Sequence, residues 1–225
     1  MGYLNLIRII LWKDITTEFR TKEIFTSLLV FTLLVALIFA FAFDPGSQRM
    51  RELAPGILWV AFTFGGVLGL NRSFLAEKEN DCLQGLLLSP MDRGAIYLGK
   101  MIGNVLFMGI IEIFAFPVFA AFLNLPLLEV ILRLIVVIVL STIGFAAVGT
   151  LFAAMSVNTR TREVMLPILL FPVAVPVIIA AVKATGKVLA GDPLGDAGDW
   201  LKLLGVFDVI FVVICFLTFE YVVEE

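Results

Sequence analysis

Six long apolar runs, at residues 24–43, 54–70, 101–123, 130–155, 164–182 and 205–223, leave this chain few ways to fold. A backbone amide that enters hydrocarbon unpaired costs several kcal/mol, and a continuous helix pairs every such group within its own run. About twenty residues of helix cross a bilayer. The expected architecture is an all-α integral membrane fold with six transmembrane helices. The composition agrees: 61% of residues are hydrophobic and only 16% charged, against about a quarter charged in soluble domains. The run at 24–43 is expected to remain as a span, because it is as long as the others and lacks the small-residue cleavage site of a secretory signal.

An even number of spans puts both termini on one side. Lys and Arg decide which side, since basic groups flanking the spans are retained in the cytoplasm. Ten of them (Arg8, Lys13, Arg20, Lys22, Arg72, Lys78, Arg93, Lys100, Arg160 and Arg162) gather on one face, and six (Arg49, Arg51, Arg133, Lys183, Lys187 and Lys202) on the other. Both termini are therefore expected in the cytoplasm. The net charge of −3 names no partner and gives no pointer to nucleic acid, because the bilayer separates acidic from basic groups. Cys82 falls in a loop and Cys215 in the last span, and neither has CxxC spacing.

Residues 1–23 precede the first span. There Leu4, Ile7, Leu11, Ile15 and Phe19 recur at helical spacing, with Arg8, Lys13, Asp14, Glu18, Arg20 and Lys22 largely off that stripe. Such a helix lies in the membrane interface with Trp12 near the headgroups. It serves as an anchor, or as a lever between a cytoplasmic partner and the first span. The turns at Asp44-Pro45-Gly46-Ser47 and Leu125-Pro126 are too short to hold a receptor domain. In the segment GDPLGDAGDW, Asp192, Asp196 and Asp199 lack the alternation and closing Glu of a calcium loop, so a surface loop is expected and no metal site. With no linker or low-complexity tract, residues 1–225 read as one transmembrane domain.

The longest polar stretch, residues 71–100, reads NRSFLAEKENDCLQGLLLSPMDRGAIYLGK. Its end, GAIYLGKM, fits most of the phosphate-binding pattern GxxxxGK[ST], but Met101 stands where a hydroxyl must hold magnesium. Tyr97 and Leu98 are bulky for a phosphate cradle, and no strand precedes it. The first half of the stretch has helical spacing, with Leu75, Cys82, Leu83, Leu86 and Leu87 near one face and Glu77, Lys78, Asn80, Asp81 and Gln84 on the other. Ser89-Pro90 ends it, since proline cannot continue a hydrogen-bonded helix. The expected product is a short amphipathic helix across the cytoplasmic mouth. Its charged face, with Glu77, Lys78, Glu79, Asp81 and Arg93, is available to a protein.

The run Glu77-Lys78-Glu79, then Gly85-Leu86-Leu87-Leu88-Ser89-Pro90, then Gly99-Lys100 resembles the permeases of ABC-2-type, ATP-driven transporters. More narrowly, Asn71-Arg72-Ser73-Phe74, Glu77-Lys78-Glu79-Asn80 and Leu86-Leu87-Leu88-Ser89-Pro90 are similar to the heme exporter protein B (CcmB) family of bacterial cytochrome c maturation. The resemblance implies a coupling helix in the 71–100 loop, with Glu77, Lys78, Glu79, Leu83, Leu86, Leu87, Ser89, Pro90 and Arg93 docking an ATPase. It implies a permease homodimer above two copies of a cytosolic ATPase, which binds the ATP. A heme-handling membrane protein and a small accessory membrane subunit stand beside it, all in the bacterial inner membrane. The family links ATP use to heme export or to release of a heme-loaded chaperone. On this reading GAIYLGKM is the approach to the third span, with Lys100 at the lipid headgroups. The chain contains no histidine, so it offers heme iron no imidazole. Heme is then cargo of the complex, with no cofactor held by this chain alone.

Within the spans, Glu112 is the candidate functional acid, because charge at mid-bilayer is costly and tends to face a cavity or partner. Asp208 and Glu220 are expected near the ends of the last span, at the headgroups. Gly65 and Gly69 form a Gly-x-x-x-Gly pair, and Gly144, Ala146, Ala147 and Gly149 a second small-residue groove, for packing within the chain or across a dimer. Pro167, Pro172 and Pro176 are expected to keep the fifth span from being a regular helix throughout, leaving it kinked or broken. Three alternatives compete: an ABC-2 permease for a lipid, polysaccharide or drug; an intramembrane enzyme; and a secondary transporter using Glu112. The second lacks any HExxH, GxSxG or mid-span aspartate pair, and the third lacks an internal repeat. The chain is thus expected to be non-catalytic.

Overall fold

The structure, a computed structural model, describes residues 3–21, 23–44, 47–79, 92–125, 127–157, 159, 161–193 and 195–224. Seven α-helices and no strands occur among them: α1 (Tyr3–Thr21), α2 (Glu23–Ala42), α3 (Gln48–Glu79), α4 (Arg93–Leu123), α5 (Leu127–Ser156), α6 (Arg162–Leu189) and α7 (Gly198–Glu224). Five of them, α3 to α7, are long and apolar enough to cross a membrane. The expected sixth span falls on α2, whose described apolar part is Leu29–Ala42.

Local chemistry sets the helix ends. Asp92, in extended conformation, caps α4 by accepting a 2.8 Å hydrogen bond from the Gly94 amide. Asn124 closes α4 in the left-handed region at φ 52°, which asparagine tolerates better than other side-chain-bearing residues. After α6 the chain turns at Gly191 (φ 88°), and Arg133 of α5 donates to the carbonyls of Gly191 and Asp192 at 3.2 and 2.8 Å. α6 is one helix through Pro167, Pro172 and Pro176, so of the two expected outcomes, a kink or a break, the break does not occur. A proline removes one intrahelical bond and clashes locally, and within a bundle neighbouring groups compensate for the freed carbonyls.

α5 packs against α6 and α7, and also against α4 and α3. The buried apolar residues form two clusters. One joins Ile10, Leu70, Phe74, Ile96, Tyr97, Leu151, Leu166, Phe207 and Phe219. The other joins Met50, Leu58, Trp59, Phe62, Phe119, Leu123, Val130, Leu134 and Val188. The first cluster therefore holds α1, the C-terminal ends of α3 and α5, the N-terminal ends of α4 and α6, and α7 from Leu204 to Phe219. The chain's two termini and both attachment points of segment 80–91 lie at that same end of the bundle. Buried polar side chains, including Thr63, Glu112, Ser141 and Thr142, occupy the level between the clusters.

Two helices depart from the sequence expectation. α3 continues without interruption through residues 71–79, so the first part of the expected coupling helix is the end of a span-length helix. α1 is helical as expected, but its buried face is centred on Ile10, and Leu4 is 80% exposed. Asp14, expected off the packed face, lies on it.

Candidate functional site

Two features carry chemistry: the junction that frames segment 80–91, and a carboxylate at the middle of the bundle. At the junction Lys100, 1% exposed, forms an ion pair with Asp14 of α1 at 3.0 Å. It also donates to the Ser73 carbonyl of α3 at 3.0 Å and sits 5.2 Å from the centre of the Phe74 ring. A buried ammonium needs such partners, because desolvating it alone is costly. The expected place for Lys100 among the headgroups is thus corrected. It lies two turns inside α4, and α1 covers it because Gly99 and Gly103 let that helix approach: a Cβ on Gly99 would stand 3.0 Å from Ile10.

The two sides of the segment are fixed to different helices. Lys78, at the end of α3, donates to the Val157 carbonyl after α5 at 2.7 Å. Gly94, at the start of α4, has no room for a Cβ, which would lie 2.5 Å from Phe216 of α7. The residues flanking segment 80–91 thus contact the end of α5 and α7.

Of the residues expected to dock an ATPase, Lys78 is at this junction and Arg93 is half-buried in the first turn of α4. Glu77 and Glu79 lie in α3, with side chains outside the described residues. Leu83, Leu86, Leu87, Ser89 and Pro90, as well as Cys82, lie outside the described residues altogether.

At mid-bundle Glu112 is 6% exposed. The Thr142 hydroxyl of α5 donates to it, with its oxygen 2.9 and 3.0 Å from the two carboxyl oxygens. Glu112 separates two spaces. On the inner side, a cavity of about 20 Å³ is lined by Trp59, Thr63, Ser141, Thr142 and Val177. That volume suits about one water molecule, and the Ser141 hydroxyl within it has no protein partner. On the outer side is a groove of about 310 Å³ between α4 and α5, lined by apolar side chains apart from Glu112 and Thr142.

Asp208 was expected at the headgroups and is instead buried near the middle of α7, with neither carboxyl oxygen hydrogen-bonded. It stands against Gly144 of α5, where an added Cβ would be 2.5 Å from Oδ1. Of the expected small-residue pair, Gly65 is buried and Gly69 half-buried. A tight approach on α3 is made by the neighbouring Gly66, whose added Cβ would lie 2.7 Å from Phe145. Gly144 and Gly149 are filled within the chain by α7 and by Leu70 of α3. No group of three potential metal-ligating residues occurs among the described residues.

Sequence reasoning missed Asp14, Ser141, Thr142 and the burial of Asp208. For Asp14 a signal existed, since it follows Ile7, Ile10 and Leu11 at helical spacing. For the others the signal is pairing between distant helices, which no local pattern carries.

Comparison with known proteins places these features in a family. The sequence model of the family described as "CcmB protein" matches residues 5–224. Similar curated proteins include "Heme exporter protein B" of Pseudomonas aeruginosa, 29% identical over 200 residues that cover 89% of each chain. The protein of that name from Rhodobacter capsulatus is 30% identical over 173 residues, covering 77% of this chain and 79% of the relative. The one from Escherichia coli K12 is 27% identical over 172 residues, covering 76% and 77%. A match across nearly the whole length, on an all-helical framework with several span-length helices, means that this chain belongs to the CcmB protein family.

Proposed function

We propose that this chain is the membrane permease subunit of an ATP-driven complex of cytochrome c maturation. It couples ATP hydrolysis by a separate subunit to heme export or to release of a heme-loaded chaperone. The observation that carries this reading is the family match over residues 5–224, together with relatives named as heme exporters. α2 completes a sixth span, residues 1–225 form one multi-pass domain, and both termini face the cytoplasm of a bacterial inner membrane. The loop-bearing end of the bundle then faces the cytoplasm. Segment 80–91 and its flanks, with Glu77, Lys78, Glu79 and Arg93, receive the ATPase.

The junction supports a mechanical role. Lys100 ties α1 and α3 to α4, and Lys78 ties α3 to the end of α5. A push on the loop therefore moves several helices together. The permease pairs with a second copy of itself above two ATPase copies, beside a heme-handling membrane protein and a small accessory subunit. ATP is held by the ATPase, and heme enters as cargo.

Affinity purification of the tagged chain from native membranes in mild detergent, with mass spectrometry and a heme absorbance scan, tests the proposal. Recovery of an ATPase with heme-handling membrane proteins supports it. Recovery of an ATPase with lipid or polysaccharide enzymes replaces the cargo, and recovery of no ATPase removes the coupling role.

A further inference from the structure

The groove between α4 and α5 has three properties that together describe its occupant. Its length follows from the α4 residues that line it, from Val105 to Pro117, which span about 18 Å at 1.5 Å per residue. It runs along the helices and opens sideways, with Ile113 70%, Ile135 51% and Val139 47% exposed. Its floor holds Glu112, whose two oxygens share the single proton of the Thr142 hydroxyl. At least one carboxyl oxygen can accept a further hydrogen bond.

Gly109, one turn before Glu112, supplies the remaining observation. It lines the groove, and a Cβ built there meets nothing within 4 Å. A small residue facing open space lets another helix backbone approach closely. A lipid chain would cover the isoleucines but bring no donor to Glu112. Heme's carboxylates, when ionised, likewise bring no donor to Glu112.

We propose that this groove is the docking site for a transmembrane helix of a different membrane protein, one that presents Asn, Gln, Lys or Arg at mid-span to Glu112. The apolar walls take the flanking side chains of that helix, and Gly109 takes its closest backbone approach. Glu112 is then a partner-recognition residue, consistent with the rule that polar groups at bilayer depth are matched across helices. This inference uses the proposed function only in placing the chain among other membrane proteins; it does not depend on the ATPase.

The test is site-specific photo-crosslinking in native membranes. A benzophenone amino acid replaces Ile113 in the groove, or Val209 on the exposed face of α7 as control (67% exposed). After irradiation the adducts are mapped by mass spectrometry, and ATPase recovery is scored separately on the same membranes. The expected result is an Ile113 adduct on an apolar span of another protein that contains one of the four donor residues, with lipid adducts at Val209. Glu112→Leu should reduce the protein adduct roughly three- to thirtyfold, the range that an interhelical hydrogen bond supplies. Glu112→Gln, which keeps an acceptor, should retain most of it, and Gly109→Leu, which fills open space, should reduce it without loss of membrane insertion. Lipid adducts alone at Ile113, a product of two copies of this chain, or a protein adduct unchanged by Glu112→Leu would each overturn the proposal. Loss of ATPase recovery with the adduct intact would count against the coupling role and leave this site standing.

Discussion

Replacing Lys100 with Met tests whether α1 is held by charge or merely by apolar contact. The side chain is 1% exposed and its ion pair with Asp14 is 3.0 Å long, so Met fills similar volume while removing every polar contact. Breaking one side of a buried pair costs about 3–5 kcal/mol, much of it from the charge left behind. Here Asp14 is 13% exposed and also lies 3.2 Å from Lys13, so it keeps a partner and some solvent. The expected cost of Lys100→Met is thus at the lower end, about 3 kcal/mol. Asp14→Leu should likewise cost about 3 kcal/mol, because it takes a carboxylate 3.0 Å away from a deeply buried ammonium. The double variant removes both charges and should cost less than the sum of the singles by about 2 kcal/mol or more. Unfolding free energies from SDS titration in mixed micelles, arranged as a double-mutant cycle, give the coupling directly. Additive costs, or a Lys100→Met cost under about 1 kcal/mol, would refute a charge-locked α1.

Ala at Glu77, Glu79 or Arg93 should lower the ATPase recovered with the chain while membrane insertion stays intact; unchanged recovery in all three would remove the docking assignment. Asp208→Leu should raise the unfolding free energy by about 1–3 kcal/mol, since both carboxyl oxygens are buried without a donor and an apolar group of similar shape leaves nothing unsatisfied. A loss of stability on that change would mean that the carboxylate has a partner in the native membrane. Gly144→Val should destabilise by more than about 2 kcal/mol, because even its Cβ meets Asp208 and Phe207; wild-type stability would show that α5 and α7 can separate there. Glu112→Gln should leave the fold intact, since the amide oxygen still accepts from Thr142, and normal cytochrome c maturation in that strain would show the charge to be dispensable.

The sequence by itself determined what hydrocarbon enforces. Long apolar runs had to become helices, and α3 to α7 fall where the runs lie. The loop residues carried the family likeness, because the motif Glu77-Lys78-Glu79 through Ser89-Pro90 is contiguous and readable along the chain. Glu112 was visible as an acid surrounded by apolar neighbours. Tertiary structure decided the meaning of the other charges. Lys100 and Asp14 are eighty-odd residues apart, and Lys100 looks like a headgroup lysine until α1 folds over Gly99. Asp208 looks terminal until α7 begins seven residues before the apolar run and sets the acid near mid-helix. Likewise, three prolines read as a kinked or broken helix locally, while the neighbouring helices keep α6 continuous. A linear pattern records how each residue meets solvent or lipid. Which helix covers it depends on where glycines permit close approach and where a buried charge finds its counterpart, and those are properties of the packed bundle.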